Sequence, residues 1–540
     1  MQQEYDYIVV GAGSSGAVIA ARLSENPNVR VALIEAGGPD KSTFVRKPGM
    51  IGLIHQIPQL KARFDWGYYT TPQTHMNDRK VPYTRGRVLG GCSAVNGMLY
   101  LRGNKANYDS WATSGCDGWS HEDVLPYFMK LEDHVDGANE HRGAGGPIPI
   151  TKQPPESISP VSNAFMDATA NVCRVPKLDD FNGPSQEGTS VFQMTAKDGV
   201  RFSSSEAYLR PNTQRPNLDV ITGALVRRIV IKNGRVIGVQ IDTQNEVRTI
   251  SVTSDVVLSA GAVNSPQLLM LSGIGPADQL RQRGVDVVHD LPGVGQNLHD
   301  HLFVPVTFRA KTSKRRGSAP FFLMGMMREY LLPGTGWFGR TVFEAGAFVK
   351  SGATQPIPNI QMHSLPWGYP TPNQDGPKMP HVDSGNCFTI MPTLIYPKAR
   401  GEITLRSSDP NDAPSIDPNY LARDEDLQLL VRAVELAREI AADSAMDGHI
   451  VKELYPGADR KSKKEIEDEV RLRATTVYHP VGTCKMGVDE MAVIDPKLRV
   501  RGIDGLRVAD ASIMPSITGG NTNAPCLMIG EKAAAMIVNA

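Results

Sequence analysis

Residues 5–35, YDYIVVGAGSSGAVIAARLSENPNVRVALIE, contain the stretch that decides the fold. An apolar run rich in β-forming residues leads into a glycine-rich turn, a helix-forming segment and a second apolar run. These parts are Tyr5–Val10, Gly11–Gly16, Ala17–Leu23 and Val29–Ile34, and the acid Glu35 follows them. The pattern predicts a βαβ unit of about 30 residues, which is the context that a dinucleotide-binding glycine motif requires.

The three glycines of this turn have different predicted tasks. Gly11 permits the tight turn, Gly13 lets the backbone approach a pyrophosphate, and Gly16 lets the helix pack closely on the strand. The N-terminus of the helix offers N–H groups and a positive dipole end to phosphate. Glu35 lies where an acid accepts hydrogen bonds from adenosine ribose hydroxyls, so the motif predicts a bound dinucleotide.

Composition excludes several classes of function. The 540 residues include 57 Lys and Arg and 57 Asp and Glu, so no broad charge favours nucleic acid or an anionic membrane. No apolar run is long enough to span a bilayer, and the start lacks the features of a signal peptide. The six cysteines form no CxxC pair, which favours a reducing cytoplasm and gives no zinc ligand set.

Further along the chain, local patterns predict several elements. Asn233-Gly234 predicts a hairpin turn within 218–241, and 427–441 is an amphipathic helix. In Gly261–Gly275 we expect a helix with Ser265 as N-cap and Pro266 in its first turn. Another helix is expected over 525–538.

Three segments carry possible chemistry. Gly86–Gly97 has paired glycines that let a backbone lie against a flat ligand ring, and its Asn96 can bond a polar edge. The second is Gly261–Gly275. The third combines Tyr478–Thr483 with Asp510 and 521–523.

On these segments the chain resembles the glucose–methanol–choline (GMC) flavin oxidoreductases, from Asp6 to Ala535. Gly86–Gly97 resembles the first family signature, with Cys92 where a glycine, serine or threonine is more usual, and Gly261–Gly275 resembles the second. Leu291–His301 resembles the stretch that follows the second signature.

The resemblance implies a mixed α/β fold with two interleaved domains. One is a Rossmann-like FAD-binding domain, and the other is a discontinuous substrate-binding domain built on an antiparallel sheet with helices. The expected FAD-binding segments are 1–155, 216–300 and 465–540, and the substrate-binding segments are 156–215 and 301–464.

The resemblance also implies FAD rather than NAD, since the glycine motif itself serves both. Relatives that bond FAD covalently carry a histidine at the position of Val95, so non-covalent FAD is expected here. The residues implied to contact the cofactor come from all three segments and from the βαβ unit. They are Gly11, Gly13, Ser14, Ser15, Gly16, Glu35, Ala36, Arg87, Val88, Gly90, Gly91, Ser93, Asn96, Gly97, Val226, Ala260, Asp510, Ala511, Asn521 and Thr522.

The family's catalytic pair corresponds to His479 and Asn521. Alcohol oxidation needs a base for the hydroxyl proton while a hydride leaves carbon for flavin N5, and imidazole suits that task. The amide of Asn521 can orient the alcohol oxygen. Taken alone, His479 would be read as a core histidine and Asn521 as a turn amide that caps the last helix.

The substrate pocket is predicted to be apolar, which favours aromatic or aliphatic primary alcohols. Val477, Tyr478, Trp367 and His363 are placed there, and Glu344 resembles the glutamate that holds the trimethylammonium group in choline-oxidising relatives. Pairing of Glu344 with Arg340 is the alternative. The apolar candidates are Phe321, Phe322, Met324, Met326, Met327, Trp337, Phe338, Phe343, Trp367 and Met391.

Several alternatives stay open at this point. A choline or amino-alcohol dehydrogenase, a hydroxynitrile lyase on the same scaffold, a nicotinamide dehydrogenase and a non-catalytic binding protein are weighed against the alcohol oxidoreductase. The electron acceptor is O2 or a quinone, and the chain is expected to be a monomer or homodimer. His299 and His301 flank Asp300, but their spacing is generic, and no metal is expected.

Overall fold

A computed structural model describes residues 4–243, 246–311, 319–332, 334, 336–369 and 386–539, without the side chains of Gln56 and 319–322. The predicted mixed α/β architecture is confirmed, and its core is two large sheets with helices packed on them. Within the described residues no helix is both long and apolar enough to cross a membrane.

The bounds of the elements follow in chain order. The strands are β1 Glu4–Val10, β2 Val31–Glu35, β3 Glu132–His134, β4 Ile148–Ile150, β5 Gly188–Val191, β6 Ala196–Lys197, β7 Val200–Arg201, β8 Leu218–Thr222, β9 Ala224–Lys232, β10 Arg235–Thr243, β11 Glu246–Leu258, β12 Ile274–Gly275, β13 His289–Asp290, β14 Leu302–Phe303, β15 Val306–Ala310, β16 Ala345–Val349, β17 Ile360–Leu365, β18 Cys387–Leu394, β19 Glu402–Thr404, β20 Ser415–Asp417, β21 Ile450–Tyr455, β22 Thr475–Thr476 and β23 Leu506–Val508. The α-helices are α1 Ser14–Leu23, α2 Thr43–Arg46, α3 Ile51–Gln56, α4 Pro58–Phe64, α5 Lys105–Thr113, α6 His121–Leu131, α7 Pro160–Cys173, α8 Gly261–Leu271, α9 Ala277–Gln282, α10 Ala319–Leu331, α11 Asp424–Ala441, α12 Lys463–Arg473 and α13 Asn523–Val538.

The first sheet has the order β8-β2-β1-β11-β10-β9, with β23 beside β11. Strands β1, β2, β8 and β23 run parallel to their neighbours, and the hairpin strands β9 and β10 add an antiparallel edge. Strand β2 is buried along its whole length, and β1 is buried over its apolar residues 8–10, as expected when both faces of a parallel sheet are covered. The carboxyl ends of β1, β2 and β11 therefore meet at one edge.

The predicted βαβ unit is confirmed, although α1 starts at Ser14, inside the Gly11–Gly16 segment and three residues before the predicted Ala17. Gly11 has φ +94°, which a residue with a side chain rarely adopts. A Cβ on Gly16 would lie 1.9 Å from the carbonyl oxygen of Gly11, so close packing of helix and turn requires glycine there.

The hairpin predicted at Asn233-Gly234 is also confirmed. Both residues have positive φ, +51° and +76°, as the primed turns of two-residue hairpins require. Strands β9 and β10 pair antiparallel on either side of the turn.

The second sheet is antiparallel, with the order β21-β15-β18-β17-β16-β5, and β14 joins it through β18 and β22. Helices α7 and α11 pack against it. Helix α11 contains the amphipathic helix predicted over 427–441 and begins three residues earlier. Strand β17 is buried along its whole length although it carries the polar residues Gln361 and His363.

The strands of the first sheet lie within 1–155, 216–300 and 465–540, and those of the second sheet lie within 156–215 and 301–464, except β22. That strand lies inside 465–540, which was assigned to FAD binding, yet it pairs with β14 of the second sheet. The other limits of the two domains stay a prediction.

The expected start of α8 is wrong. The helix begins at Gly261, and Ser265 and Pro266 lie inside it. The carboxylate of Asp510 accepts the Gly261 N–H at 2.8 Å and the Ser265 hydroxyl at 2.5 Å, so a distant residue caps the helix. Because Pro266 has no N–H for the Ala262 carbonyl, that oxygen instead accepts from the Thr483 hydroxyl at 2.6 Å.

The last helix joins the two ends of the chain. Helix α13 packs along α1, and it begins two residues before the predicted start at Pro525. Ser14 Oγ donates to Asn523 Oδ1 at 2.8 Å, and Ser15 Oγ donates to the Cys526 carbonyl at 2.7 Å. The glycine turn and the residues around Asn521 are thereby held next to each other.

Candidate active site

One cavity of about 1430 Å³ extends from the glycine turn to the side chain of His479. Its walls come from both sheets and from the loops between them. Most of the predicted site residues line it. Those that do are Gly11, Gly13, Ser14, Ser15, Glu35, Ala36, Gly91, Asn96, Gly97, Val226, Ala260, Asp510, Ala511, Asn521, Thr522, Val477, Tyr478, His479, Trp367 and His363.

Six predicted residues do not line the cavity. Gly16 packs on Gly11, and the Arg87 guanidinium stacks on the Trp66 ring at 4.8 Å. The others in this group are Val88, which is buried, Gly90 and Ser93, which bond within their own loop and to its neighbours, and Glu344.

At the glycine end, the buried Glu35 carboxylate sits beside the turn. It accepts the N–H groups of Ala12 at 3.0 Å and Gly37 at 2.7 Å. Burial raises the pKa of this carboxyl to about 7, and the two N–H donors oppose that rise. A Cβ on Gly13 would meet only the Ser259 oxygen, at 3.9 Å, so the space beside this glycine is open.

The middle of the cavity is formed by the Gly86–Gly97 loop and by Asp510. A Cβ on Gly91 would lie 2.8 Å from the Cα of Gly13, so the loop lies directly against the glycine turn. Asn96 Oδ1 accepts from Met98 N–H and from the Arg201 guanidinium, each at 2.9 Å. These contacts hold the loop backbone as part of the cavity wall.

At the other end, the His479 imidazole lies between two side chains. Its Nε2 is 3.2 Å from Asn521 Nδ2, and its Nδ1 is 3.0 Å from Nδ1 of His301. The predicted pair, His479 and Asn521, is therefore in contact, although 42 positions separate the two residues. His301 is an additional neighbour that the sequence patterns did not identify.

Three consecutive residues, 299–301, hold the backbone around His479. The segment runs antiparallel to 477–481 with backbone hydrogen bonds from Val477 N–H to the His301 carbonyl at 3.0 Å and from Val481 N–H to the His299 carbonyl at 3.0 Å. The side chain of the middle residue, Asp300, accepts the His479 N–H at 2.8 Å and the hydroxyls of Tyr420 and Thr476.

Tyr478 has φ +65°, an uncommon conformation for a bulky residue. Its N–H donates to Thr476 Oγ1 at 2.6 Å, and its carbonyl accepts from the Arg85 guanidinium at 2.5 Å. Such strain persists only where neighbours hold it, and it is concentrated at functional sites. Here it sets the direction in which the chain presents His479.

Two side chains of β17 extend the polar array. Gln361 Nε2 donates to Asn521 Oδ1 at 3.3 Å and lies 3.1 Å from Nε2 of His363. Burial lowers the pKa of His363 to about 4, so its ring is neutral at neutral pH. Gln361 was not predicted, since an amide inside an apolar strand pattern carries no spacing signal.

Apolar side chains also line the cavity. The Phe343 ring lies next to the His363 ring, with centroids 5.4 Å apart, and Phe303, Trp337, Trp367 and Met391 are further apolar lining residues. Met324 and Met327, two of the apolar candidates, are 57% and 67% exposed and do not line the cavity. The side chains of Phe321 and Phe322 lie outside the described part of the chain.

Glu344 points away from the cavity. It is 1% exposed, and its Oε2 accepts the N–H of Ser159 at 3.0 Å and the Ser159 hydroxyl at 2.5 Å. It lies directly before the buried strand β16 and bonds Ser159, the residue before α7. The sequence-based placement of this carboxylate in the substrate pocket is therefore at odds with the structure.

The pKa of His479 is lowered well below its usual value. Burial is the main cause, and the nearby His301 and Arg85 add to it. The ring is therefore neutral at neutral pH and carries one N–H and one lone pair. Among the described residues, no cluster of three or more His, Cys, Asp or Glu side chains could hold a metal ion.

These features fit FAD. The open space beside Gly13, the N-terminus of α1 and the Glu35 carboxylate suit a pyrophosphate and a ribose. The cavity continues past the Gly91 loop to His479, with ample volume for a tricyclic ring and a small substrate.

The chain belongs to the GMC oxidoreductase family. The family's N-terminal model matches residues 5–303 and its C-terminal model matches residues 397–530. The chain is therefore an FAD-dependent oxidoreductase that acts on alcohols.

Among curated proteins, the oxygen-dependent choline dehydrogenase of Photobacterium profundum is 40% identical over 548 residues, covering 100% of this chain and 94% of the relative. The alcohol dehydrogenase [acceptor] of Pseudomonas putida is also 40% identical, over 542 residues, covering 99% and 96%. The crystal structure of pyridoxine 4-oxidase from Mesorbium loti has a TM-score of 0.89 at 31% identity and covers 99% of both chains.

Proposed function

We propose that this enzyme oxidises aromatic or aliphatic primary alcohols to aldehydes, with His479 as the base and Asn521 as the group that orients the alcohol oxygen. The observation that carries the proposal is the contact of His479 Nε2 with Asn521 Nδ2 at the apolar end of the cavity. A hydroxyl that reaches both nitrogens would replace their mutual hydrogen bond and would meet the lone pair of His479 and an N–H donor of Asn521.

The roles of the residues follow from their chemistry. The lone pair of the neutral His479 ring accepts the hydroxyl proton, and the Asn521 amide donates a hydrogen bond to the same oxygen. Bound FAD supplies the two-electron acceptor that takes the hydride from the carbinol carbon. The apolar wall formed by Phe303, Phe343 and Trp367 keeps water from the reacting atoms.

The chain's own residues would hold the cofactor in two places. The N–H groups at the start of α1 and the glycine turn would bind the pyrophosphate, and Glu35 would accept from the ribose hydroxyls. The start of α13, next to Asn521 and Thr522, would stabilise negative charge on the reduced ring. Val95 stands where covalent relatives have histidine, so FAD is held non-covalently.

Choline or another amino alcohol is the second candidate. It is supported by the names of relatives that are 40% identical, and by the aromatic side chains of Phe303, Trp367 and Tyr369 in the cavity wall, since aromatic faces attract quaternary cations. Glu344 gives this candidate no support because it lies outside the wall. O2 or a quinone accepts the electrons in either case, and the chain is a monomer or a homodimer.

An anaerobic stopped-flow screen tests the proposal. Benzyl alcohol, a long-chain primary alcohol and choline are mixed with the holoenzyme, and bleaching of the flavin band is followed before air is admitted. A hydroxynitrile lyase would leave the band unchanged with every alcohol. Heat or trichloroacetic acid should release FAD into the supernatant, and colour in the pellet would contradict non-covalent binding.

The role of His479 is tested with His479→Ala. We expect flavin reduction to slow by at least about 10²-fold, the typical contribution of a positioned base. His75→Ala, which removes an exposed histidine, is the control with the expected wild-type rate. Unchanged single-turnover reduction in His479→Ala would rule out this assignment.

A further inference from the structure

The donor and the acceptor of each hydrogen bond between Ile395, His301 and His479 can be assigned by starting from the Ile395 carbonyl. Nε2 of His301 lies 3.1 Å from the backbone carbonyl of Ile395. A carbonyl oxygen only accepts, so His301 must carry a proton on Nε2. A neutral imidazole has one N–H, and Nδ1 of His301 is therefore an acceptor.

The acceptor role of His301 Nδ1 determines which nitrogen of His479 carries the proton. Nδ1 of His301 is 3.0 Å from Nδ1 of His479, so the proton between them belongs to His479. The neutral His479 ring then has a lone pair on Nε2. The Asn521 amide nitrogen donates to that lone pair at 3.2 Å, and the Asn521 oxygen is left to accept from Gln361, as observed at 3.3 Å.

The rings are neutral, as this derivation requires. Burial lowers the pKa of His301 to about 3 and the pKa of His479 well below its usual value. A doubly protonated His301 would instead donate from its Nδ1 to Nδ1 of His479. The proton of the neutral His479 ring would then lie on Nε2, where the base needs its lone pair. The two rings also meet edge to face, with centroids 5.2 Å apart and planes at 87°, which limits their rotation.

We propose that His301 is a positioning residue that holds His479 in the tautomer with its proton on Nδ1, so that Nε2 faces the substrate as a base. The inference rests on the proposed function. The proton of the alcohol goes to His479 Nε2, and His301 supplies no proton and takes none. An imidazole thus has the orienting task that a carboxylate often has beside a catalytic histidine.

Two variants separate this role from simple packing. In His301→Asn, the amide oxygen can occupy the position of Nδ1 and accept from His479, while the donor to Ile395 is lost. In His301→Gln, the amide nitrogen can occupy the position of Nε2 and donate to Ile395, while the acceptor for His479 is lost. Each variant therefore keeps one half of the ring's hydrogen bonding.

The test is anaerobic flavin reduction in each holoenzyme, resolved into the rate constant at saturating alcohol and the apparent Kd. FAD content and the thermal midpoint are measured on the same preparations. We expect His301→Asn to stay within about 10-fold of the wild-type rate constant and His301→Gln to fall by about 10²-fold, with similar Kd values, because only the second loses control of the tautomer.

Equal losses in both variants, or a larger loss in His301→Asn, would overturn the inference. If one variant loses FAD, the other still decides: a slow His301→Asn or a fast His301→Gln contradicts it. This failure differs from failure of the proposed function. If His479→Ala reduces its flavin at the wild-type rate, the base itself is misassigned, whereas a slow His479→Ala with equal His301 variants removes only the role of His301.

Discussion

The two ends of the cavity are built in different ways. At the glycine end, the turn that forms part of the wall is one continuous segment, and its packing depends on residues that lack a Cβ, such as Gly11 and Gly16. At the histidine end, side chains from separate segments meet: His301, Gln361, His479 and Asn521 form one hydrogen-bonded array. The first construction leaves a regular spacing in the sequence, and the second leaves none.

The difference predicts two kinds of failure. A side chain added at Gly11 or Gly16 introduces a clash with backbone, so it acts on folding and on FAD retention together. A substitution at the histidine end removes a donor or an acceptor, so the protein can keep its FAD and lose rate. The variants below test this contrast.

The largest effect is expected for Gly16→Ala. Its Cβ would lie 1.9 Å from the Gly11 carbonyl oxygen, and backbone on both sides must move to relieve that contact. We expect no FAD-loaded protein, measured by the flavin absorbance of the purified chain. Gly38→Ala is the matched control, since its Cβ would meet nothing within 4 Å. A Gly16→Ala protein with full FAD content and an unchanged thermal midpoint would contradict the steric account.

Asp300→Ala should have the next largest effect. The carboxylate accepts from His479 N–H and from the Tyr420 and Thr476 hydroxyls, and its removal leaves three buried donors without their acceptor. We expect the free energy of unfolding to fall by about 4 kcal/mol, at about 1–3 kcal/mol for each unsatisfied donor, measured by denaturant unfolding.

Flavin reduction in Asp300→Ala should also slow, because the backbone of His479 is no longer held. Asp278→Ala is the control, since that carboxylate is 93% exposed and its loss should change the free energy of unfolding by less than about 0.5 kcal/mol. A stable Asp300→Ala enzyme with the wild-type reduction rate would show that 299–301 does not support the site.

The sequence alone predicts some parts of the fold and of the site but not others. The βαβ unit and the hairpin at Asn233-Gly234 were predictable, because local spacing and turn chemistry encode them. The pair His479 and Asn521 came from resemblance to a family rather than from spacing. The cap of α8 by Asp510 was not predictable, because its donor and acceptor are 249 positions apart.

The role of 299–301 was missed for a related reason. Two histidines around an aspartate carry the same pattern whether they bind metal, face solvent or hold a loop. Only the fold shows that all three side chains are buried and that they bond residues of several distant segments, among them Ile517, Tyr420 and His479. Glu344 shows the opposite case, since the family analogy places in the pocket a carboxylate that bonds Ser159 instead.

Glu35 gives a pH-dependent test of the glycine end. In the FAD-free cavity, burial raises the pKa of this carboxyl from 4.5 to about 7. The folded chain therefore holds a proton that the unfolded chain releases between these values. The contribution of this proton to the free energy of unfolding is fully present below pH 4.5 and is lost as the pH rises through 7. The free energy of unfolding changes by up to about 3 kcal/mol in total.

The measurement compares denaturant unfolding of FAD-free wild type and Glu35→Gln at pH 5 and pH 8. Other groups titrate in both proteins, so the difference between the two isolates Glu35. We expect wild type to lose stability relative to the variant at the higher pH. A difference that stays constant between the two pH values would contradict the assignment.

The smallest effect is expected for Glu344→Gln. This variant tests whether a residue at the histidine end contacts the substrate or only stabilises the structure around the cavity. The carboxylate accepts from Ser159 N–H and O–H and lies outside the cavity, so no substrate contacts it. We expect the free energy of unfolding to fall by about 1–2 kcal/mol, while the apparent Kd values for benzyl alcohol and choline in flavin reduction change by less than about 2-fold. His363→Gln, which alters a residue of the cavity wall, is the positive control for altered Kd. A selective loss of choline affinity in Glu344→Gln would place this carboxylate in the pocket, and the division between wall and support at this end would then be wrong.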